Sequence, residues 1–284
     1  MKTNILHRAA TLSAIAIATG AATPAALGSA WTQPDGGLSI LLPTSYTYAD
    51  ESFDSSGDRV DRADEFTMVE FSPLIEYGVT DSFTLGMQPK YRTVWIETAE
   101  GTTDSNSGLA ESDFFARQRL WGRNEASLAL QVGAKVPISP DEDATVALGR
   151  DQYDGDIALA YGNRHTLGSG RIFYSGEVGY TKRWEVPADE AFFNAFIGWT
   201  PGDSSWSFIL RSANTVSVGN DDENNDEEVL TTFPDYNRHA AQLMTSYRFS
   251  NSMSLVGGVS TTYAGENVGI GHTGFVALSV PYTF

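Results

Sequence analysis

Histidine is the side chain most often recruited as a general base near neutral pH. This 284-residue chain has four, and His7 falls in a leader-like start, leaving His165, His239 and His272. A hydrolase needs a nucleophile within hydrogen-bond reach of such a base. His239 and His272 share one strand parity, and the segment between them offers Thr261 and Tyr263 on that parity. Its Ser254 and Ser260 point the other way. Gly271-His272-Thr273-Gly274 lacks the serine of a His-Gly-x-Ser motif, and no G-x-S-x-G, Walker or H-E-x-x-H pattern occurs,. With no cysteine, thiolate zinc sites, disulfides and a Cys nucleophile are excluded,. The residues predict no enzyme, no metal site and no cofactor.

The remaining chemistry is that of charge. Thirty-six acids face 18 bases, a formal charge of -18, and such acidity argues against nucleic-acid binding. Acids gather in two stretches: Asp50, Glu51, Asp54, Asp58, Asp61 and Asp64, and then Asp221, Asp222, Glu223, Asp226, Glu227 and Glu228. The second stretch lacks the spaced calcium-loop pattern and reads as a solvated loop. The bases are placed differently. Lys90 and Arg92, and again Arg117 and Arg119, stand two residues apart. A spacing of two puts each pair on one face of a strand.

Most of the chain repeats that period. In Phe83–Trp95, Leu85, Met87, Tyr91 and Trp95 share one face while Thr84, Gly86, Gln88, Lys90 and Arg92 share the other,. Twelve such segments are predicted: 37–49, 65–79, 83–97, 112–123, 127–138, 152–165, 171–184, 188–200, 205–218, 234–249, 253–264 and 270–284. Short Asn/Asp/Ser/Gly/Pro connectors, such as Thr80-Asp81-Ser82 and Ser250-Asn251-Ser252, alternate with long polar ones,. Ahead of them, residues 1–30 combine Lys2 and Arg8, an apolar run over 9–22 and a Gly28-Ser29-Ala30 exit, the pattern of a secretory signal peptide,. Its removal leaves 16 bases against 36 acids, a charge of -20.

An even strand count, alternating connectors and aromatics near strand ends (Tyr77, Trp121, Trp184, Trp199, Trp206 and Tyr282 among them) predict an all-β fold. It is a transmembrane antiparallel up-and-down barrel of about 12 strands over residues 31–284, in a Gram-negative outer membrane. Val276, Leu278, Val280, Tyr282 and Phe284 alternate to a C-terminal aromatic, so Tyr282 and Phe284 are the candidate insertion signal for the barrel-assembly machinery.

With the apolar parity facing lipid, the other parity lines the lumen. It carries Glu70, Glu76, Lys90, Arg92, Arg117, Arg119, Lys135, Glu177, Arg183, Arg211 and Arg238, with Gln131, Asp154, Asp156, Asn194, Gln242 and Arg248. Nine of the 16 bases are inward. These side chains could set selectivity in a pore, or pair into a lattice across a narrow barrel. With Glu70 and Glu76 each neutralising one base, Lys90, Arg92, Arg117 and Arg119 are expected to keep about two positive charges unpaired, giving a hydrated constriction with modest anion preference.

The start Ala30-Trp31-Thr32-Gln33-Pro34-Asp35-Gly36, the hairpin Glu76-Tyr77-Gly78-Val79-Thr80-Asp81-Ser82-Phe83-Thr84-Leu85-Gly86 and the ending Val280-Pro281-Tyr282-Thr283-Phe284 resemble the outer-membrane family labelled "MetA-pathway of phenol degradation". That resemblance implies a transporter-like barrel and brings no ligand residues. The expectation is an outer-membrane channel or passive uptake pore for small solutes, with outer-membrane lipid and lipopolysaccharide as its surroundings. The alternative is a structural or surface-interaction barrel with a plugged lumen and acidic extracellular loops.

Overall fold

The computed structural model describes residues 30–123, 125–138, 146–149, 152–184, 188–218, 235–250 and 253–283. The predicted signal segment up to residue 29, the acidic stretch 221–228 and Phe284 lie outside them. One antiparallel sheet contains β1 (Gly37–Phe53), β2 (Arg59–Phe71), β3 (Leu74–Thr80), β4 (Phe83–Thr98), β5 (Thr103–Arg123), β6 (Ala126–Pro137) and β7 (Asp154–Leu167). It continues with β8 (Gly170–Arg183), β9 (Glu190–Thr200), β10 (Trp206–Ser217), β11 (Asn237–Arg248), β12 (Ser254–Glu266), β13 (Val268–Gly269) and β14 (His272–Thr283).

From β4 to β12 each strand pairs with the next, β2 and β3 both pair β4, β12 pairs β14, and β1 pairs with β14 as well as with β2 and β3, so the sheet closes on itself. Closure leaves no open edge. The fourteen strands make twelve passes because β2 and β3 are one pass interrupted at Ser72-Pro73, and the short β13 and β14 are another, both paired along β1. Proline cannot donate to a ladder. At the break the Gln88 side chain donates to the Ser72 carbonyl at 3.0 Å, satisfying the acceptor that the interruption frees.

The predicted single strand 65–79 is therefore split. The predicted connectors 50–64 and 98–111 are mostly strand, since β1, β2, β4 and β5 run on past the apolar zone. Their sequences are mostly polar there and lose the alternation that betrays a strand.

The apolar parity faces out, as predicted. Leu42, Leu159, Ile197, Leu210, Leu243 and Val259 are exposed on the outer wall. Tyr77, Trp121, Trp199, Trp206 and Tyr282 lie near one set of strand ends, and Tyr153, Trp184 and Tyr263 near the other, all exposed. An apolar belt between aromatic girdles matches the cross-section of a bilayer. The tight turns and both chain ends share one rim, which is the periplasmic one by that topology.

Candidate functional site: the lumen

The inward parity is not uniformly polar. Near the outer rim, Ala49 of β1, Phe66 and Met68 of β2, and Val94 and Ile96 of β4 form an apolar cluster inside the barrel. Val146 and Leu148, from the connector between β6 and β7, fold into the lumen and cap it. Asn106 and Arg92 hold that connector by donating to the carbonyls of Val146 (2.9 Å) and Leu148 (2.8 Å).

Beneath this cap runs a belt of ion pairs. Arg92 of β4 bonds Glu70 of β2 at 2.7 Å and Glu111 of β5 at 3.1 Å. Lys90 bonds Glu111 at 2.9 Å and Asp113 at 2.8 Å. Lys135 of β6 bridges Glu111 (3.9 Å) and Asp154 of β7 (3.5 Å). Arg183 of β8 continues from Asp154 (3.6 Å) to Glu190 of β9 (2.6 Å), and the Tyr236 hydroxyl also donates to Glu190. Seven passes are linked in one chain of alternating charge. Its five carboxylates (Glu70, Glu111, Asp113, Asp154 and Glu190) face four bases (Lys90, Arg92, Lys135 and Arg183).

The expected surplus of positive charge is therefore absent at Lys90 and Arg92. The residue responsible is Glu111, one position before the predicted start of its strand. Glu111 keeps the inward parity of Asp113 and Arg117 and stands opposite Lys90, while a bulge at Ala110 shifts the parity of the residues before it,.

Arg117 does not join this belt. It lies nearer the periplasmic rim, 2% exposed, with each guanidinium nitrogen hydrogen-bonded. It bonds Glu76 at 2.8 Å, the side-chain oxygen of Gln131 at 2.9 and 3.1 Å, and the carbonyl of Trp31 at 3.2 Å. Arg119 is half-buried on the same face and makes no ion pair among the described residues. The four bases of β4 and β5 thus form two separate groups rather than one cationic cluster.

Trp31 belongs to a strap, residues 30–36, that crosses the periplasmic opening beneath β3 to β7. Ser127 donates to the Ala30 carbonyl at 2.6 Å, Gln33 donates to Glu76 at 2.9 Å, and the Gly36 N–H bonds the Gly78 carbonyl at 2.9 Å. The Arg164 guanidinium stacks over the Trp31 ring at 4.4 Å. Two glycines make room for the strap. A Cβ on Gly78 would stand 1.9 Å from the Pro34 carbonyl oxygen, and one on Gly162 would stand 2.7 Å from the Trp31 ring.

The wall from β8 to β14 is different. Glu177 of β8 accepts from Asn194 of β9 at 2.7 Å. Arg211 of β10 is 5% exposed, and no carboxylate lies within ion-pair distance of it among the described residues. It stands in register with Phe196 of β9 and Gln242 of β11. Neither Arg211 Nε nor Gln242 Oε1 has a hydrogen-bond partner in the protein. Arg238 faces inward further up β11, opposite Thr215. Beyond Gln242 the wall is lined by hydroxyls: Ser260 of β12 opposite Thr273 of β14, and Thr273 bonded to Thr47 of β1 at 2.8 Å.

Phenyl rings share this lumen. Phe173 and Phe196 meet edge-on at 6.2 Å, Phe115 and Phe275 pack against buried Leu41, Leu74, Val256 and Ala277, and Phe192 overlies Gly179. The sequence signal for them was aromatics on the otherwise polar parity. The histidines are on the rims: His272 faces the Thr261 hydroxyl at 3.0 Å, His239 the Asn214 carbonyl at 3.0 Å, and His165 stacks on Tyr174.

No protein-family model and no curated protein matches the chain by sequence. Solved structures match its shape. An outer-membrane channel from Pseudomonas putida F1 superposes with a TM-score of 0.67 at 15% identity, covering 90% of this chain and 98% of that one. The translocator domain of the autotransporter NalP from Neisseria meningitidis gives a TM-score of 0.51 at 13% identity, covering 87% and 88%. At such identities the likeness is one of fold. Together with the apolar outer wall, it defines the chain as a twelve-stranded bacterial outer-membrane β-barrel.

Proposed function

We propose that this barrel is a passive channel for small solutes. The observation that carries the reading is the pair Arg211 and Gln242: Arg211 makes no ion pair among the described residues, and its Nε and the Gln242 Oε1 have no hydrogen-bond partner in the protein. A buried cation left unsolvated is too costly to persist, so water or a solute must reach the middle of the lumen. The Pseudomonas putida F1 protein of the same architecture is an outer-membrane channel, which agrees with this reading. The inward phenyls favour a solute with an apolar or aromatic body, consistent with the phenol-degradation resemblance. Selectivity rests on the unpaired bases, Arg211 first, while Lys90, Arg92, Lys135 and Arg183 act mainly as a lattice. Purified barrel in a planar bilayer should give discrete conductance steps.

A second reading is a closed barrel whose loops do the work. The strap and the folded-in Val146–Leu148 segment favour it, because each obstructs one end of the lumen. A silent bilayer would select it.

Export on either reading runs through removal of a signal segment that ends at Gly28 or at Ala30, and the Ser127 bond to the Ala30 carbonyl survives only the first cut. N-terminal sequencing of outer-membrane material should begin at Ser29 or Trp31, and an intact Met1 there would contradict this. Tyr282 and Phe284 serve as the insertion signal, so Phe284→Asp should lower the yield of heat-modifiable barrel in outer-membrane fractions.

A further inference from the structure

The strap closes only part of the periplasmic opening. Beside it, beneath β7 to β12, the lumen ends in a cavity of about 500 Å³. Three arginines border it: Arg164 of β7, Arg171 of β8 and Arg248 of β11. Its only acid among the described residues is Glu125, 3.8 Å from Arg164, in a pair exposed on both sides. Such a pair binds weakly and is screened by salt. Arg164 also stacks on Trp31, which fixes its position at the edge of the strap. Arg171 and Arg248 make no ion pair among the described residues.

Between these two arginines the wall is built of hydroxyls. Arg171 is in register with Thr200, Thr200 bonds Ser207 at 2.7 Å, Ser207 is in register with Ser246, and Arg248 stands two residues beyond it. Guanidinium groups flanking a row of hydroxyl donors form a site for an oxyanion. The guanidinium supplies charge and paired N–H donors, and the hydroxyls fill the remaining lone pairs. The site opens at the periplasmic end of the lumen and away from the outer leaflet, so it faces solutes rather than lipopolysaccharide.

We propose that this vestibule is an oxyanion-binding port that takes the carboxylate or phosphate of a small solute at the periplasmic end of the lumen. The passage of that solute rests on the channel reading; its binding does not. The test is calorimetric titration of the full barrel in detergent with benzoate and with inorganic phosphate, at low salt. Wild type should bind at least one of them, and which one identifies the source of the oxyanion. The Arg171→Ser/Arg248→Ser pair should weaken binding about tenfold or more, as expected for losing charge-assisted hydrogen bonds. Arg171→Lys/Arg248→Lys should fall between, since an ammonium keeps the charge without the planar fork.

Ser246→Asp leaves both arginines in place and puts a carboxylate into the cavity. It should also weaken binding, and it serves if the double serine variant does not fold. Wild type that binds neither probe, or serine and aspartate variants that bind as wild type does, would overturn the port. Conductance recorded on the same preparations separates the two proposals. A barrel that binds but does not conduct refutes the channel and leaves the port, while one that conducts but does not bind does the reverse.

Discussion

The two walls of the lumen use charge in opposite ways. From β2 to β9, carboxylates and bases alternate around the barrel and every base in the belt has an acid within 4 Å. From β10 to β14, one buried arginine stands among glutamine, serine and threonine with no acid within 4 Å among the described residues. Matched charges at close range satisfy one another and brace the wall. An unmatched charge needs water or a solute, so on the channel reading it marks where the lumen opens. Counting inward bases therefore overstates what a solute meets, and the position of the acids decides it.

The largest effect expected from this contrast is on stability. Glu111 holds Arg92, Lys90 and Lys135 together. Removing one member of a buried pair leaves its partners uncompensated and costs about 3–5 kcal/mol. Glu111→Ala should lower the temperature of the heat-modifiability transition and the urea midpoint markedly. Arg211→Ser removes a charge with no acid partner and should leave both nearly unchanged. Equal losses in the two variants would erase the distinction between the walls.

The next effect is on the opening. Gly162→Leu would collide with the Trp31 ring and dislodge the strap from β7. Conductance should rise, and the strap should become sensitive to added protease. An unchanged conductance with an intact strap would show that the strap is no barrier to flow. A smaller effect is expected from Trp31→Ala, which removes the stacking on Arg164 but keeps the strap's bonds to Ser127, Glu76 and Gly78. A cation–π contact at such a site is worth about 0.5–1 kcal/mol, so conductance should change less than in Gly162→Leu.

Much of this architecture was legible in the residues. The period of two in Phe83–Trp95 and its counterparts located all twelve passes, because alternating faces meet lipid and lumen,. Sidedness followed from connector lengths. Three features were not legible, each for a physical reason. Glu111 was missed because β5 begins in a polar stretch without alternation, so the strand was predicted to start only at residue 112, although Glu111 continues the parity of Arg117. The inward apolar cluster was missed because Val94-Trp95-Ile96 is apolar on both faces: one face meets lipid and the other meets Val146 and Leu148 from a distant connector. The strap was read only as a prelude to β1, since nothing in Trp31–Gly36 announces that Gly78 and Gly162, far along the chain, have no side chains in order to receive it.

The belt and the lone arginine make different demands on ions, and reversal potentials across a potassium chloride gradient read them directly. Wild type should conduct with a modest preference for chloride, and Arg211→Ser should conduct with its reversal potential shifted toward that of potassium. The account is contradicted if wild type passes no current, or if Arg211→Ser conducts with an unchanged reversal potential.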